Sequence, residues 1–166
     1  MVEALTPAIP FAVLWPEIIL MIAGCAILML GQSPREESRR LAPWIGLFAL
    51  VAAIAIVMLY PQQDVVAGSG LLYDSLARFV RIAALELGIL LTLVNWSQAR
   101  PSEQGEYLSM LFFSLVGVLL VSAADNLLIL FLALELTSIP TYIMVVLGRN
   151  KLASAEAGTK YFFLGA

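Results

Sequence analysis

Six long apolar stretches separated by short polar ones run along the 166 residues of the chain. A helix needs about 20 apolar residues to cross the hydrocarbon of a bilayer. The first stretch, 13–31, has WPEIILMIAGCAILMLG at its centre, and the second, 41–60, is free of charge. The third, 76–96, contains Arg78, Arg81 and Glu86; the fourth covers 107–124; the fifth, 127–147, contains Glu135 and Pro140. A sixth, 152–166, starts near Leu152. Its roughly 15 residues give about 22 Å at 1.5 Å each, short of the far side of a membrane. That stretch is expected either to belong to a longer polypeptide or to be completed by packing against another.

The polar segments carry the residues that end helices. Gln32 to Arg40 is short and charged with Pro34 as a breaker, Pro61 to Gly70 contains Pro61, Gly68 and Gly70, and Ser97 to Glu106 contains Pro101. Asp125–Asn126 leaves room only for a tight turn, so the fourth and fifth helices are predicted to be antiparallel neighbours. Gly148 stands where a helix C-cap is expected. The predicted fold is all-α: a polytopic transmembrane helix bundle with five complete spans and the start of a sixth, a single membrane domain over residues 1–166.

Orientation follows from the basic residues. Arg35, Arg39 and Arg40, then Arg100, then Arg149 and Lys151 follow the first, third and fifth stretches. The alternate segments carry none, so the N-terminus is expected outside and the basic loops in the cytoplasm. Arg78 and Arg81 sit against this trend, close enough to the outer end to snorkel or to pair with Asp74.

Composition sharpens the picture. Hydrophobic residues make up 61% and charged residues 13%, with a mean hydropathy of +0.96. An average soluble domain is about half apolar and a quarter charged, so the excess apolar surface must face lipid. The net charge of −3 comes without any basic stripe, which argues against nucleic acid as a partner. There is no histidine, and the single Cys25 can form neither an internal disulfide nor a four-sulfur metal site. No metal site is expected. No cleavable signal peptide is expected either, because no Lys or Arg precedes Arg35.

Function in such a chain should lie with the charges inside the spans. Glu135 lies about nine residues into the fifth stretch, roughly 13 Å deep at 1.5 Å per residue and close to the midplane. An acidic side chain there costs on the order of 3 kcal/mol and commonly faces a protein interior or wet cavity, where it carries protons or binds ions. A neutral Glu hydrogen-bonded to a neighbouring helix is the structural alternative. Pro140, five residues on, frees the carbonyl near Leu136 and can kink the helix.

Lys160, about eight residues into the sixth stretch, is a second candidate for proton transfer, set against a plain i,i+4 pair with Glu156. Glu86, at mid-span in the third helix, is a possible third; its partner is expected on another helix. Glu17, directly after Pro16, reads as a helix start with a favourable dipole charge.

The stretch EYLSMLFFSLVGVLLVSAADNLLILFLALELTSIPTYIMVVLGRNKLASAEAGTKYFFLGA resembles the N subunit of bacterial respiratory complex I, the NADH:quinone oxidoreductase. Its marks are the short acidic turn, LELTSIPTY, the basic loop and EAGTKYFFLGA. PEIIL at Pro16–Leu20 and YDSLARF at Tyr73–Phe79 resemble the same family, which is itself similar to Mrp-type cation/proton antiporter subunits. The resemblance implies the N-terminal portion of a proton-translocating subunit in a bacterial inner (plasma) membrane. It places Glu135 on the family's fifth-helix glutamate and Lys160 on its sixth-helix lysine. It implies K-type and M-type membrane subunits as neighbours. NADH, FMN, iron–sulfur clusters and quinone belong on partner subunits, with no cofactor or redox site on this chain. An Mrp-type antiporter or membrane-bound hydrogenase subunit is one alternative, and a non-transporting structural or truncated fragment is another.

Overall fold

The computed structural model describes residues 11–59, 63–66, 70–98, 103–147 and 151–165. Pro61, Gly68, Arg100, Pro101, Gly148 and Arg149 lie outside the described residues. A turn of 3-10 helix at Phe11–Leu14 leads into α1 (Trp15–Gly31), followed by α2 (Glu36–Leu59), β1 (Gln63–Val66), β2 (Leu71–Tyr73), α3 (Ser75–Gln98), α4 (Gln104–Ala123), α5 (Leu127–Val146) and α6 (Lys151–Gly165). The helices fall on the predicted stretches to within a few residues. In α1, Pro16 occupies the first turn, where its missing N–H costs nothing.

The polar Pro61 to Gly70 segment was expected only as a connection between helices. Strand β1 within it pairs with β2, just after it, as a short antiparallel hairpin, with Gln63 opposite Tyr73 and Val66 opposite Leu71. Leu71 also bridges to Ala124 at the end of α4, and the Asp125 N–H donates to the Gly70 carbonyl at 2.8 Å. Gly70 has φ +69°, and a Cβ there would run into the Asn126 side chain, so only glycine fits this joint. The predicted turn at Asp125–Asn126 is present. Asn126 caps α5, its side chain accepting the Ile129 N–H at 2.8 Å.

The core gathers on α4. Helices α1, α2 and α3 pack in sequence, α4 returns against α1 and α3, α5 packs on α4, and α6 packs on α5. Phe112, Leu108 and Leu119 of α4 are fully buried with Leu20 and Ile27 of α1, Leu50 of α2 and Leu85 of α3. Small residues set the distances between axes. A Cβ on Gly31 would lie 2.8 Å from the Gly105 Cα, so the backbones of α1 and α4 touch there. On α2, Gly46 makes room for the Phe112 ring, since an added Cβ would stand 3.1 Å from its Cζ.

Among the described residues three helices, α2, α4 and α5, are long and apolar enough to cross a membrane. Helix α1 is apolar but has 17 residues, and α3 carries the three predicted charges. The outer faces of the bundle are apolar: Phe48 on α2, Leu90 on α3, Phe131 on α5 and Phe163 on α6 are all exposed. That is the inverse of a water-soluble surface and the expected finish for a lipid-facing or protein-covered one.

Candidate functional site

Helix α5 carries the leading candidate. Glu135 is its ninth residue and is half-buried. Among the described residues it makes no hydrogen bond and no ion pair. Tyr142 is seven residues on, close to two full turns, and so shares its face of the helix. The Tyr142 ring meets Tyr161 and Phe162 of α6 edge to face, at 4.9 and 5.7 Å between centroids.

The opposite side of α5 is fixed against α4. A Cβ on Gly117 would fall 2.6 Å from the Thr137 nitrogen and 2.9 Å from the Leu136 carbonyl carbon, a backbone approach that only glycine permits. Nearby, the buried Ser114 hydroxyl donates to the Thr137 carbonyl at 3.3 Å. Pro140 is buried in this seam and α5 runs continuously through it. The proline supplies no N–H to the Leu136 carbonyl. Thr137, Ser138 and Thr141 turn their hydroxyls onto helix carbonyls of Ala133, Leu134 and Ser138. These hydroxyls are therefore satisfied within α5, and the Glu135 carboxyl is left as the acidic group in its middle.

Lys160 and Glu135 are not brought together among the described residues. Gly158 faces α5, where an added Cβ would strike Val146, and Lys160, two residues on, projects away. Its Nζ donates to Glu156 Oε1 at 2.6 Å, with both side chains exposed. This is the i,i+4 arrangement that the spacing allowed as an alternative. Glu86 is exposed on the outer face of α3 and has no partner among the described residues, so no described helix supplies the one expected.

One residue was misplaced by sequence reasoning. Arg81 neither snorkels nor pairs with Asp74. It is buried and its Nη2 donates to both carboxylate oxygens of Glu17, at 2.6 and 2.8 Å, and to the Val13 carbonyl at 3.0 Å. Glu17 sits in the first turn of α1 as expected, and it also pairs with Arg81, which the sequence reading did not foresee. Asp74 instead accepts the Ala77 N–H at 2.7 Å at the start of α3, and Arg78 donates to the Met58 carbonyl. The Arg81 guanidinium also stands 4.7 Å over the Tyr73 ring. Burial, and then the neighbouring Glu17 charge, push the Tyr73 phenol above its ordinary range. A linear reading could find the pair only by comparing helix ends: Glu17 and Arg81 lie two and six residues inside the N-terminal ends of α1 and α3, where opposite charges can neutralise each other.

A family described as "NADH:quinone oxidoreductase/Mrp antiporter, TM" matches residues 124–166, which hold Glu135, Pro140 and Lys160. NADH-quinone oxidoreductase subunit N of Azorhizobium caulinodans is 33% identical over 161 residues, covering 95% of this chain and 34% of that protein. Over most of its length this chain is similar to NADH-quinone oxidoreductase subunit N. The subunit N proteins of Rhodospirillum rubrum, 33% identical over 157 residues, and Trichlorobacter lovleyi, 32% identical over 168, cover 91% and 99% of the chain. They are matched over 32% and 34% of their own lengths, so the chain spans about a third of the curated relatives. Together with the apolar helices, this makes it a membrane protein. Among the described residues no His, Cys, Asp or Glu cluster could hold a metal ion.

Proposed function

We propose that this chain is part of the proton-translocating membrane arm of a bacterial NADH-quinone oxidoreductase, with the N-terminus outside, six helices in the inner membrane, and Glu135 as a proton-exchanging group. Electrons pass through other subunits, which hold NADH, FMN, iron–sulfur clusters and quinone, and adjacent K-type and M-type subunits complete the arm. The observation that carries the reading is the Glu135 carboxyl, half-buried near the middle of an apolar helix and without a cation or hydrogen-bond donor of its own among the described residues. The names of the relatives favour this assembly over an Mrp-type antiporter.

A carboxyl in that position answers to charge brought near it. Moving one charge against 100 mV takes about 2.3 kcal/mol, and one pKa unit corresponds to about 1.4 kcal/mol. A cation approaching and leaving Glu135 therefore needs to shift its affinity by roughly two units. The test is Glu135→Gln and Glu135→Ala in the full-length protein within the assembled complex. Both should lower proton pumping and the quinone reduction coupled to it at unchanged subunit content. Pumping at the level of the unsubstituted complex would overturn the assignment.

A further inference from the structure

In the membrane arrangement proposed above, on which this inference rests, Glu86, the twelfth of the 24 residues of α3, stands about 16 Å along the axis from one end of the helix and about 18 Å from the other, near the centre of the bilayer. It is exposed, and the residues around it on that face, Phe79, Leu87 and Leu90, are large, apolar and exposed as well. The cations of its own helix are committed elsewhere: Arg81 to Glu17 and Arg78 to the Met58 carbonyl. Hydrocarbon offers a carboxyl no hydrogen bond, and an acidic group facing it at this depth costs on the order of 3 kcal/mol. The α3 face thus combines an apolar surface suited to a second helix with one negative group that lipid cannot satisfy.

We infer that this face of α3 docks a transmembrane helix of a second polypeptide that presents a lysine or arginine to Glu86 at mid-depth. Charge complementarity identifies the partner. Apolar packing against Phe79, Leu87 and Leu90 gives contact area but little selectivity in lipid, because lipid tails are as apolar as those side chains. The buried pair fixes which helix docks and at what height. The inference is independent of any role for Glu135, and its readout is contact rather than pumping.

The experiment uses the full-length protein in native membranes with its partner subunits. A photo-crosslinking amino acid replaces Leu90, one turn from Glu86, and the adducts are identified by mass spectrometry. The expected adduct joins α3 to a transmembrane segment of another polypeptide, within a turn of a lysine or arginine. Adding Glu86→Lys should lower the adduct yield at least about tenfold, and exchanging the partner's cation for glutamate should restore it. Adducts to lipid alone, or to a later segment of the same polypeptide, would overturn the inference. So would an unchanged yield in Glu86→Lys. The crosslink in the otherwise unsubstituted chain decides the matter even if Glu86→Lys does not insert.

Discussion

Arg81 of α3 holds Glu17 of α1 across 64 positions of sequence, one guanidinium nitrogen reaching both carboxylate oxygens at 2.6 and 2.8 Å in a buried site. The pair joins the first turn of α1 to the second turn of α3. Removing one partner of a buried pair leaves an uncompensated charge, typically at a cost of about 3–5 kcal/mol, whereas replacing both by apolar residues is often close to neutral. Arg81→Met should therefore lower the thermal stability of the detergent-solubilised protein sharply. The double substitution Arg81→Met with Glu17→Leu should recover most of the loss. A double variant no more stable than Arg81→Met alone would show that the pair's geometry, rather than its charge balance, is what the fold requires.

Tyr73 offers a finer test of the same corner. Its ring lies under the Arg81 guanidinium, while its buried hydroxyl has no hydrogen-bond partner among the described residues. The hydroxyl is a cost and the ring a gain. Tyr73→Phe should leave stability unchanged or slightly raised. Tyr73→Leu should lower it by about 0.5–2 kcal/mol through loss of the cation–π contact. Both are read from melting curves of the purified protein, and a large loss in Tyr73→Phe would mean that the hydroxyl is satisfied in the membrane.

Gly117 sets the distance between α4 and α5, and hence where Glu135 sits. An added methyl would press on the backbone at Leu136–Thr137, which cannot swing aside as a side-chain tip can. Overpacking of this kind costs about 1–3 kcal/mol. Gly117→Ala should destabilise the protein by that order, and if Glu135 exchanges protons it should lower pumping beyond any loss of subunit. Ala123, buried on the same helix away from this seam, is the control position for a substitution that affects stability alone.

How much of this was legible beforehand differs by residue. The helices were, because apolar runs of membrane length leave the backbone no alternative to helix. The Asp125–Asn126 turn was, because two polar residues between long runs allow only a hairpin. The Arg81–Glu17 pair was not, because a linear reading looks for partners within a turn or two and so offers Asp74, which instead caps α3. The hairpin at Gln63–Tyr73 was missed for a related reason: its pairing is stabilised by Ala124 and Asp125, far away in sequence. Glu135 and Lys160 stood out by type and depth, but periodicity could not say that Gly158 turns α6 so that Lys160 projects away from α5.

Lys160 leaves the sharpest choice between two roles. Its contact with Glu156 is an exposed i,i+4 pair, which contributes on the order of 0.5 kcal/mol to a helix at most. If that pair is its whole purpose, Lys160→Gln and Glu156→Gln remove the same interaction and should have equal, small effects. If Lys160 takes part in proton transfer, the two differ. Lys160→Gln should lower pumping in the assembled complex several-fold, while Glu156→Gln, which leaves the cation in place and releases it from its acidic neighbour, should leave pumping near normal. The measurement is proton translocation per quinone reduced, at matched subunit content, in the two single variants side by side. Equal values close to the unsubstituted complex would assign Lys160 to helix stability and leave Glu135 as the candidate proton-exchanging group on these two helices.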